Sequence, residues 1–215
     1  MKKRLLFLVA LFVSAMAFAY EAEIDGIYYN FDETNKTAEV TYHSSDYNSY
    51  SGDITIPSTV TYNTQNVTVV GIGNNAFKNC RNLTSISLPN SLKSIGVSAF
   101  YDCRLLKELK IPKSVTTISG AFYQLCINLE KIIFEEGSIF KLDNFTVVDT
   151  TTGTIVAGNK KSTIPTSGAS IIGREAFIDS ELFKLLTIPA NINKIEDRAF
   201  EACRYLTDLK IEDSD

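Results

Sequence analysis

A repeat of about 23 residues is the feature that most restricts how this chain can fold. After residue 70 the dipeptide Ala-Phe occurs five times, and the spacings between successive Phe residues of these copies are 23, 22, 55 and 23. The five copies are Ala76-Phe77, Ala99-Phe100, Ala121-Phe122, Ala176-Phe177 and Ala199-Phe200. A repeat with this period is typical of a solenoid, in which each unit buries its apolar residues against the next unit.

Two further columns of residues return in the same register around each Phe. An Ile precedes the Phe by four or five residues, and a Cys or Ser follows it by three or four. The Ile positions are Ile72, Ile95, Ile118, Ile172 and Ile195, and the Cys positions are Cys80, Cys103, Cys126, Ser180 and Cys203. We therefore expect about six stacked coils, one of them irregular.

Each repeat also contains an alternating stretch that predicts a β-strand. In residues 83–88, Ile86 and Leu88 would face the core while Ser85 and Ser87 face solvent, and Pro89 ends the strand because it lacks an N–H. Residues 75–79 are too few for an independent helix, so we expect a single helical turn there. Stacked coils would then place parallel strands about 4.8 Å apart.

The spacing of 55 residues predicts one regular coil plus a longer, irregular coil at about 140–171. In that coil we expect Leu142 and Phe145 at the Ile and Phe positions, and a strand that ends at Ile164-Pro165. Residues 20–70 lack the repeat, and strands at 24–31, 38–42 and 53–56 predict a β-rich cap ahead of a solenoid at 71–215.

Residues 1–19 have the pattern of a cleaved signal peptide. A basic start (Met1 to Arg4) precedes an apolar stretch, and Ala17-Phe-Ala19 fits the cleavage rule. The apolar stretch is too short for a membrane span, so we expect a secreted or cell-surface protein with no span after cleavage. Cleavage removes three of 21 basic residues and none of 25 acidic ones, which gives a net charge of −7 and disfavours nucleic acid as a partner.

These residues resemble the BspA-like (Treponema pallidum-type) leucine-rich repeat family. Residues 83–103 read Leu-x-x-Ile-x-Leu-Pro-x-x-Leu-x-x-Ile-Gly-x-x-Ala-Phe-x-x-Cys, and the resemblance covers residues 72 to 215. It implies a leucine-rich repeat solenoid and an exported or surface protein of a host-associated bacterium, often an adhesin that binds host proteins or other cells. It implies no catalytic residues.

Little in the sequence points to catalysis or a cofactor. His43 is the single His, so neither a His-based metal site nor a Ser-His-Asp triad is expected. Residues 69–76 fit a dinucleotide-binding G-x-G-x-x-A pattern, but Ile72-Gly73 and Ala76-Phe77 belong to the repeat, which explains them better. The Cys column is best explained by reduced core thiols, with one disulfide or a metal site as the alternatives. We expect no enzyme, no cofactor and no metal.

The outward strand positions form the candidate partner-binding face, for a host or bacterial surface protein. They are Ser85, Ser87, Lys107, Glu108, Lys110, Lys131, Ile133, Leu185, Thr187, Asp208 and Lys210. The alternative is glycan binding through the Tyr-rich cap, with Tyr47, Tyr50 and Tyr62 as candidate contacts. Leu209 and Ile211 end the last coil without a visible cap, which predicts a weak homodimer through that end.

Overall fold

The computed structural model describes residues 19–180 and 184–213, and these two ranges contain eighteen β-strands and no helix. Residues 1–18 of the predicted signal peptide lie outside the described residues. The strands are β1 (Ala22–Ile24), β2 (Ile27–Asp32), β3 (Thr37–Thr41), β4 (Gly52–Thr55), β5 (Thr59–Tyr62), β6 (Gln65–Ile72), β7 (Leu83–Ser87), β8 (Ser94–Ile95), β9 (Glu108–Ile111), β10 (Thr117–Ile118), β11 (Lys131–Phe134), β12 (Phe140–Asp143), β13 (Thr146–Asp149), β14 (Thr154–Gly158), β15 (Ile171–Ile172), β16 (Leu185–Ile188), β17 (Lys194–Ile195) and β18 (Asp208–Ile211).

Short parallel strands stack the Ile positions of successive repeats. Strands β3, β6, β8 and β10 pair in that order, and β14, β15 and β17 form a second series. Ile95 lies beside Ile72 on one side and Ile118 on the other. We number the coils one to six by the residues at this position, which are Ile72, Ile95, Ile118, Ile155, Ile172 and Ile195.

The longer strands form a second stack, in three parallel pairs: β4 with β7, β9 with β11, and β16 with β18. Leu109 pairs with Ile132, and Leu186 pairs with Leu209. Because side chains alternate along a strand, every second residue of β9 and β16 is buried and the others face outward, whereas all four residues of β18 are exposed. The predicted alternation is therefore confirmed, and this stack is the strand face.

Residues 75–79 form consecutive turns instead of the predicted helical turn. The N–H groups of residues 76, 78 and 80 donate to the carbonyl three residues earlier, whereas those of residues 75, 77 and 79 donate to the next coil at 2.8–3.0 Å. Asn75 and Asn79 also adopt positive φ angles of 60° and 58°. An α-helix cannot form here because every second N–H group is used between coils.

The third coil is shifted by one residue from the register that the Ala-Phe dipeptides suggest. The N–H of Phe77 donates to the carbonyl of Ala99, and the N–H of Phe100 donates in the same way to Phe122. Phe122 therefore occupies the Ala position, and Tyr123 occupies the Phe position. Both side chains are fully buried.

In coil four, the chain is short after the Ile position and contains an additional hairpin before it. Ile155, not Leu142, occupies its Ile position, because Ile155 pairs with Ile172 only 17 residues later. Leu142 lies in β12, which forms an antiparallel hairpin with β13. The N–H of Gly158 donates to Ala176, as the residue at the Phe position does in other coils. Gly158 has no side chain, and the ring of Phe177 lies directly against it.

The N-terminal strands continue the stack of short strands. Strands β1, β2 and β3 pair antiparallel, and β3 then pairs in parallel with β6. The predicted strand at 24–31 is interrupted by a tight turn, where Asp25 and Gly26 have positive φ angles of 50° and 76°. The strand predicted at 53–56 is present as β4, and it pairs with β7 as neighbouring coils do.

Candidate binding surfaces

The strand face presents the predicted partner-binding residues to solvent. All eleven are exposed except Thr187, which is half-buried. Two of them are large apolar side chains, since Ile133 is 37% exposed and Leu185 is 56% exposed. An aliphatic side chain held this far from the core on a rigid strand is available to a partner protein.

Polar contacts hold some of the strand face in place and leave other residues free. Asp53 accepts hydrogen bonds from the hydroxyls of Ser85 and Thr84 at 2.6 and 2.7 Å, and these bonds lower the pKa of its carboxyl. Lys107 and Lys131 form no ion pair with any residue in the described ranges. Their ammonium groups are therefore available to an acidic partner.

An ion pair on this face involves Glu135, which follows strand β11. Lys110 lies 3.3 Å from its carboxylate, and the backbone N–H of Lys113 donates to the same group. The hydrogen bond from Lys113, followed by the contact with Lys110, lowers the pKa of Glu135.

The three candidate glycan contacts lie in different environments. Tyr50 is 3% exposed, packs on Phe77 at 4.5 Å and donates its hydroxyl to the carbonyl of Thr41. Because its ring is buried, Tyr50 cannot stack on a sugar, and it is therefore not a glycan contact. Tyr47 is half-buried, with the Lys78 ammonium 5.1 Å from its ring centre.

Tyr62 is half-buried and stacks on Phe31 with their ring centres 3.8 Å apart. A cleft of about 260 Å³ opens beside the pair, and Asp32 and Asn63 also line it. Of the three tyrosines, Tyr62 is the one next to a cleft with polar side chains.

All four cysteines carry free thiols, and three of them donate to the preceding coil. The Sγ atoms of Cys103, Cys126 and Cys203 lie 2.9–3.1 Å from the carbonyl oxygen at the Phe position of the coil before. Burial raises the pKa of the Cys80 and Cys203 thiols to about 11. Buried, protonated thiols act as small apolar side chains with a weak donor.

Ser180 interrupts this column and has no hydrogen-bond partner. The residue is 2% exposed, and its Oγ is buried without a partner in the described part of the chain. Gln124 lies across a small cavity from it, is 1% exposed, and also has an unpaired Oε1 atom. Its Nε2 donates to the carbonyl of Gly158 at 2.7 Å, in the shortened coil.

A larger opening, which we call the edge cleft, lies on the other side of Ser180. It has a volume of about 220 Å³ and is lined by Tyr101, Leu125, Asp179, Ser180, Arg204 and Tyr205, among others. Sequence analysis did not identify this site. The one sequence feature that points to it is Ser180 in place of a Cys, and this feature indicates a cleft only when the positions of the neighbouring coils are known.

The last coil exposes residues that earlier coils bury. Ile195, Leu209 and Ile211 are 43%, 49% and 64% exposed, whereas Leu109 and Ile111 are fully buried. Among the described strands, β18 pairs only with β16. One side of β18 therefore offers free backbone groups together with apolar side chains.

Within residues 19–180 and 184–213, no helix is long and apolar enough to cross a membrane. The same residues contain no group of three or more His, Cys, Asp or Glu side chains placed to hold a metal ion. His43 packs against the rings of Tyr20 and Tyr28, at 5.6 and 5.1 Å between ring centres.

The sequence matches the BspA type leucine rich repeat region in six copies, over residues 46–167 and 158–214. Among solved structures, a leucine-rich repeat protein from Bacteroides ovatus is 30% identical, with a TM-score of 0.50 over 90% of this chain and 43% of that one. The chain thus spans less than half of that protein.

Two other solved structures are less similar. The T. pallidum leucine rich repeat protein is 19% identical over 88% of this chain and 81% of that one, with a TM-score of 0.45. A leucine rich cell surface protein from Faecalibacterium prausnitzii is 16% identical over 88% and 76%, also with a TM-score of 0.45. No curated protein matches the chain.

Proposed function

Because the chain belongs to the BspA-type leucine-rich repeat family, we propose that it is an exported, non-enzymatic module that binds a protein on a host or bacterial cell surface. Export rests on the predicted signal peptide at residues 1–19. Residues 20–70 would serve as the cap that covers the first coil of the solenoid at 71–215, with the irregular coil near 140–171.

The observation that carries this proposal is the strand face. Its outward side chains are exposed on rigid, paired strands, and they combine apolar groups (Ile133 and Leu185) with unpaired ammonium groups (Lys107 and Lys131). Protein-binding surfaces typically have apolar residues surrounded by polar ones. The lysines favour a partner with an acidic surface.

Capture of a partner tests this proposal. Purified, immobilised protein would be incubated with extracellular matrix proteins and with extracts of host and bacterial cell surfaces, and bound proteins would be identified by mass spectrometry. We expect specific capture that is lost when Ile133 and Leu185 are both changed to Ser, with an unchanged urea midpoint. Reproducible turnover of a substrate, with no capture that depends on this face, would contradict the proposal.

The second candidate function is glycan binding through the N-terminal region, which the cleft beside Tyr62 favours. Its aromatic wall and the polar groups of Asp32 and Asn63 are the side-chain types that sugar sites use. A glycan array with wild-type protein and Tyr62→Ala tests this function. Tyr62-dependent retention of a glycan would support it, whereas equal signals from the two proteins would contradict it.

We also propose weak self-association through the last coil. The exposed Leu209 and Ile211 side chains and the unpaired edge of β18 would pair with a second copy. Glu212 and Asp213 follow the strand, and their charges oppose the approach of a second copy. The dimer should therefore be weak and strengthened by salt.

A further inference from the structure

We propose that the edge cleft binds a neutral oligosaccharide, with Asp179 and Arg204 as its polar contacts, Tyr205 as a stacking surface and Ser180 in its floor. The cleft lies at the turns of the solenoid, away from the strand face and from Tyr62. This inference therefore does not depend on the proposed protein partner or on the glycan site in the N-terminal region.

The first argument is the buried hydroxyl of Ser180. A buried polar atom without a hydrogen bond costs about 1–3 kcal/mol, so such an atom normally meets a water molecule or a ligand. Ser180 lines both the edge cleft and the small cavity that contains the unpaired Oε1 of Gln124. The small cavity has room for about one water molecule, which can bond to both Ser180 and Gln124 at the floor of the edge cleft.

The second argument comes from comparing two Asp residues at the same position of different coils. Asp102 is buried, and the guanidinium groups of Arg81 and Arg104 each donate to it at 2.7 Å. Asp179 is exposed and forms no ion pair with any described residue, and the same holds for Arg204. The edge cleft thus holds one free acceptor group and one free donor group.

The third argument is the aromatic lining. Tyr205 is 58% exposed, although it is one of the largest side chains in the last coil. Tyr101, which also lines the cleft, is half-buried, with the Lys78 ammonium 5.2 Å from its ring centre. An exposed aromatic ring at the edge of a cleft can bury the apolar C–H face of a sugar ring.

These groups together select a hydroxyl-rich ligand without net charge. Asp179 needs donors and Arg204 needs acceptors, and each sugar hydroxyl both donates and accepts. One carboxylate and one guanidinium cancel in charge, so a strongly charged ligand gains nothing here. The lining residues belong to coils two, three, five and six, so the cleft extends roughly 14 Å or more at about 4.8 Å per coil, which is long enough for several sugar units.

Isothermal titration of the purified protein with neutral tri- to hexasaccharides of glucose, galactose, xylose and N-acetylglucosamine tests the inference. We expect at least one to bind. Asp179→Asn and Tyr205→Ala should each weaken that binding by about tenfold or more, the loss of one good contact. Ser180→Cys restores the residue of the other coils and should leave both the fold and the affinity unchanged, because the hydroxyl that it removes is buried below the cleft.

Tyr62→Ala is the matched control, since it removes an aromatic side chain from a different cleft and should leave the affinity unchanged. The inference is overturned if none of these oligosaccharides binds. It is also overturned if binding survives at full affinity in both Asp179→Asn and Tyr205→Ala, or if only charged saccharides or peptides bind in the cleft.

Discussion

The stacked aromatic residues carry much of the packing at the scale of single residues. Phe100 is fully buried and stacks on Phe77 with ring centres 5.3 Å apart. We expect Phe100→Ala to lower the free energy of unfolding by about 3–5 kcal/mol, because a large cavity would remain between two coils. Urea unfolding measures this change.

Ser87→Ala is the matched control for that prediction, and its effect should stay within about 0.5 kcal/mol. Ser87 is exposed on the same coil, and it is a better control than Ser85, whose hydroxyl donates to Asp53. Equal shifts of the urea midpoint in Phe100→Ala and Ser87→Ala would contradict the register described above.

The buried thiols make stability depend on pH in the alkaline range. In the unfolded chain a thiol loses its proton near pH 8.5, whereas burial raises the pKa of Cys80 and Cys203 to about 11. The contribution is therefore complete below about pH 8.5 and is lost as the pH rises towards 11. We expect the urea midpoint in reducing buffer to fall over this range.

The double variant Cys80→Ala/Cys203→Ala separates the thiols from the tyrosines, which also titrate at high pH. Its midpoint should fall less steeply between pH 8.5 and 11 than that of the wild type. Parallel pH profiles for the two proteins would show that these thiols do not contribute.

At the scale of the elements, the third coil gives the sharpest test of the register. Tyr123 occupies the Phe position, and its hydroxyl donates to the carbonyl of Phe145. Tyr123→Ala should cost about 3–5 kcal/mol through loss of core packing. Tyr123→Phe keeps the ring and should cost about 0.5–1.5 kcal/mol, the contribution of one hydrogen bond.

Thermal and urea unfolding of the two Tyr123 variants distinguishes the two registers. The Ala-Phe alignment would instead make Phe122 the core aromatic and Tyr123 a surface residue. A cost below about 0.5 kcal/mol for Tyr123→Ala, the usual effect of a surface substitution, would favour that alignment.

The sequence predicted those elements whose signal is local. The alternation in residues 83–88 identified Ile86 as buried and Ser87 as exposed, and both are confirmed. The turns at residues 75–79 were predicted as helical, because a sequence does not show that every second N–H group bonds to another coil. Coil four was misaligned because Gly158 occupies the Phe position and offers no side chain to recognise.

The two candidate sites also differ in whether they depend on a local sequence pattern or on contacts between coils. The strand face could be predicted because it needs only the two-residue period of each strand. The edge cleft could not, because it depends on Ser180 and Tyr101 meeting across coils, and on the shortened coil that places Gln124 inside.

At the scale of the whole molecule, the two ends differ. Strand β3 pairs with β6 beside the first coil, whereas the last described coil exposes Leu209 and Ile211. Light scattering should show weak dimerisation that increases between low and high salt, because salt screens the acidic residues Glu212 and Asp213. Hydrogen exchange should show less protection in β18 than in β9.

Leu209→Lys/Ile211→Lys is the variant that tests this end of the molecule. It should remain monomeric at every salt concentration, because it replaces the apolar contacts with charge. A wild-type protein that stays monomeric throughout the salt series, with β18 as protected as β9, would contradict self-association through this end.

Binding of a surface protein through the strand face is the central part of the proposed function. The most direct measurement compares binding of the captured partner, by surface plasmon resonance, to wild type, to Lys107→Glu/Lys131→Glu, and to the control Lys93→Glu/Lys141→Glu. All four lysines are exposed, but Lys93 and Lys141 lie outside the strand face. We predict at least about tenfold weaker binding for the strand-face variant and no change for the control. Equal affinities for all three proteins would contradict binding through the strand face.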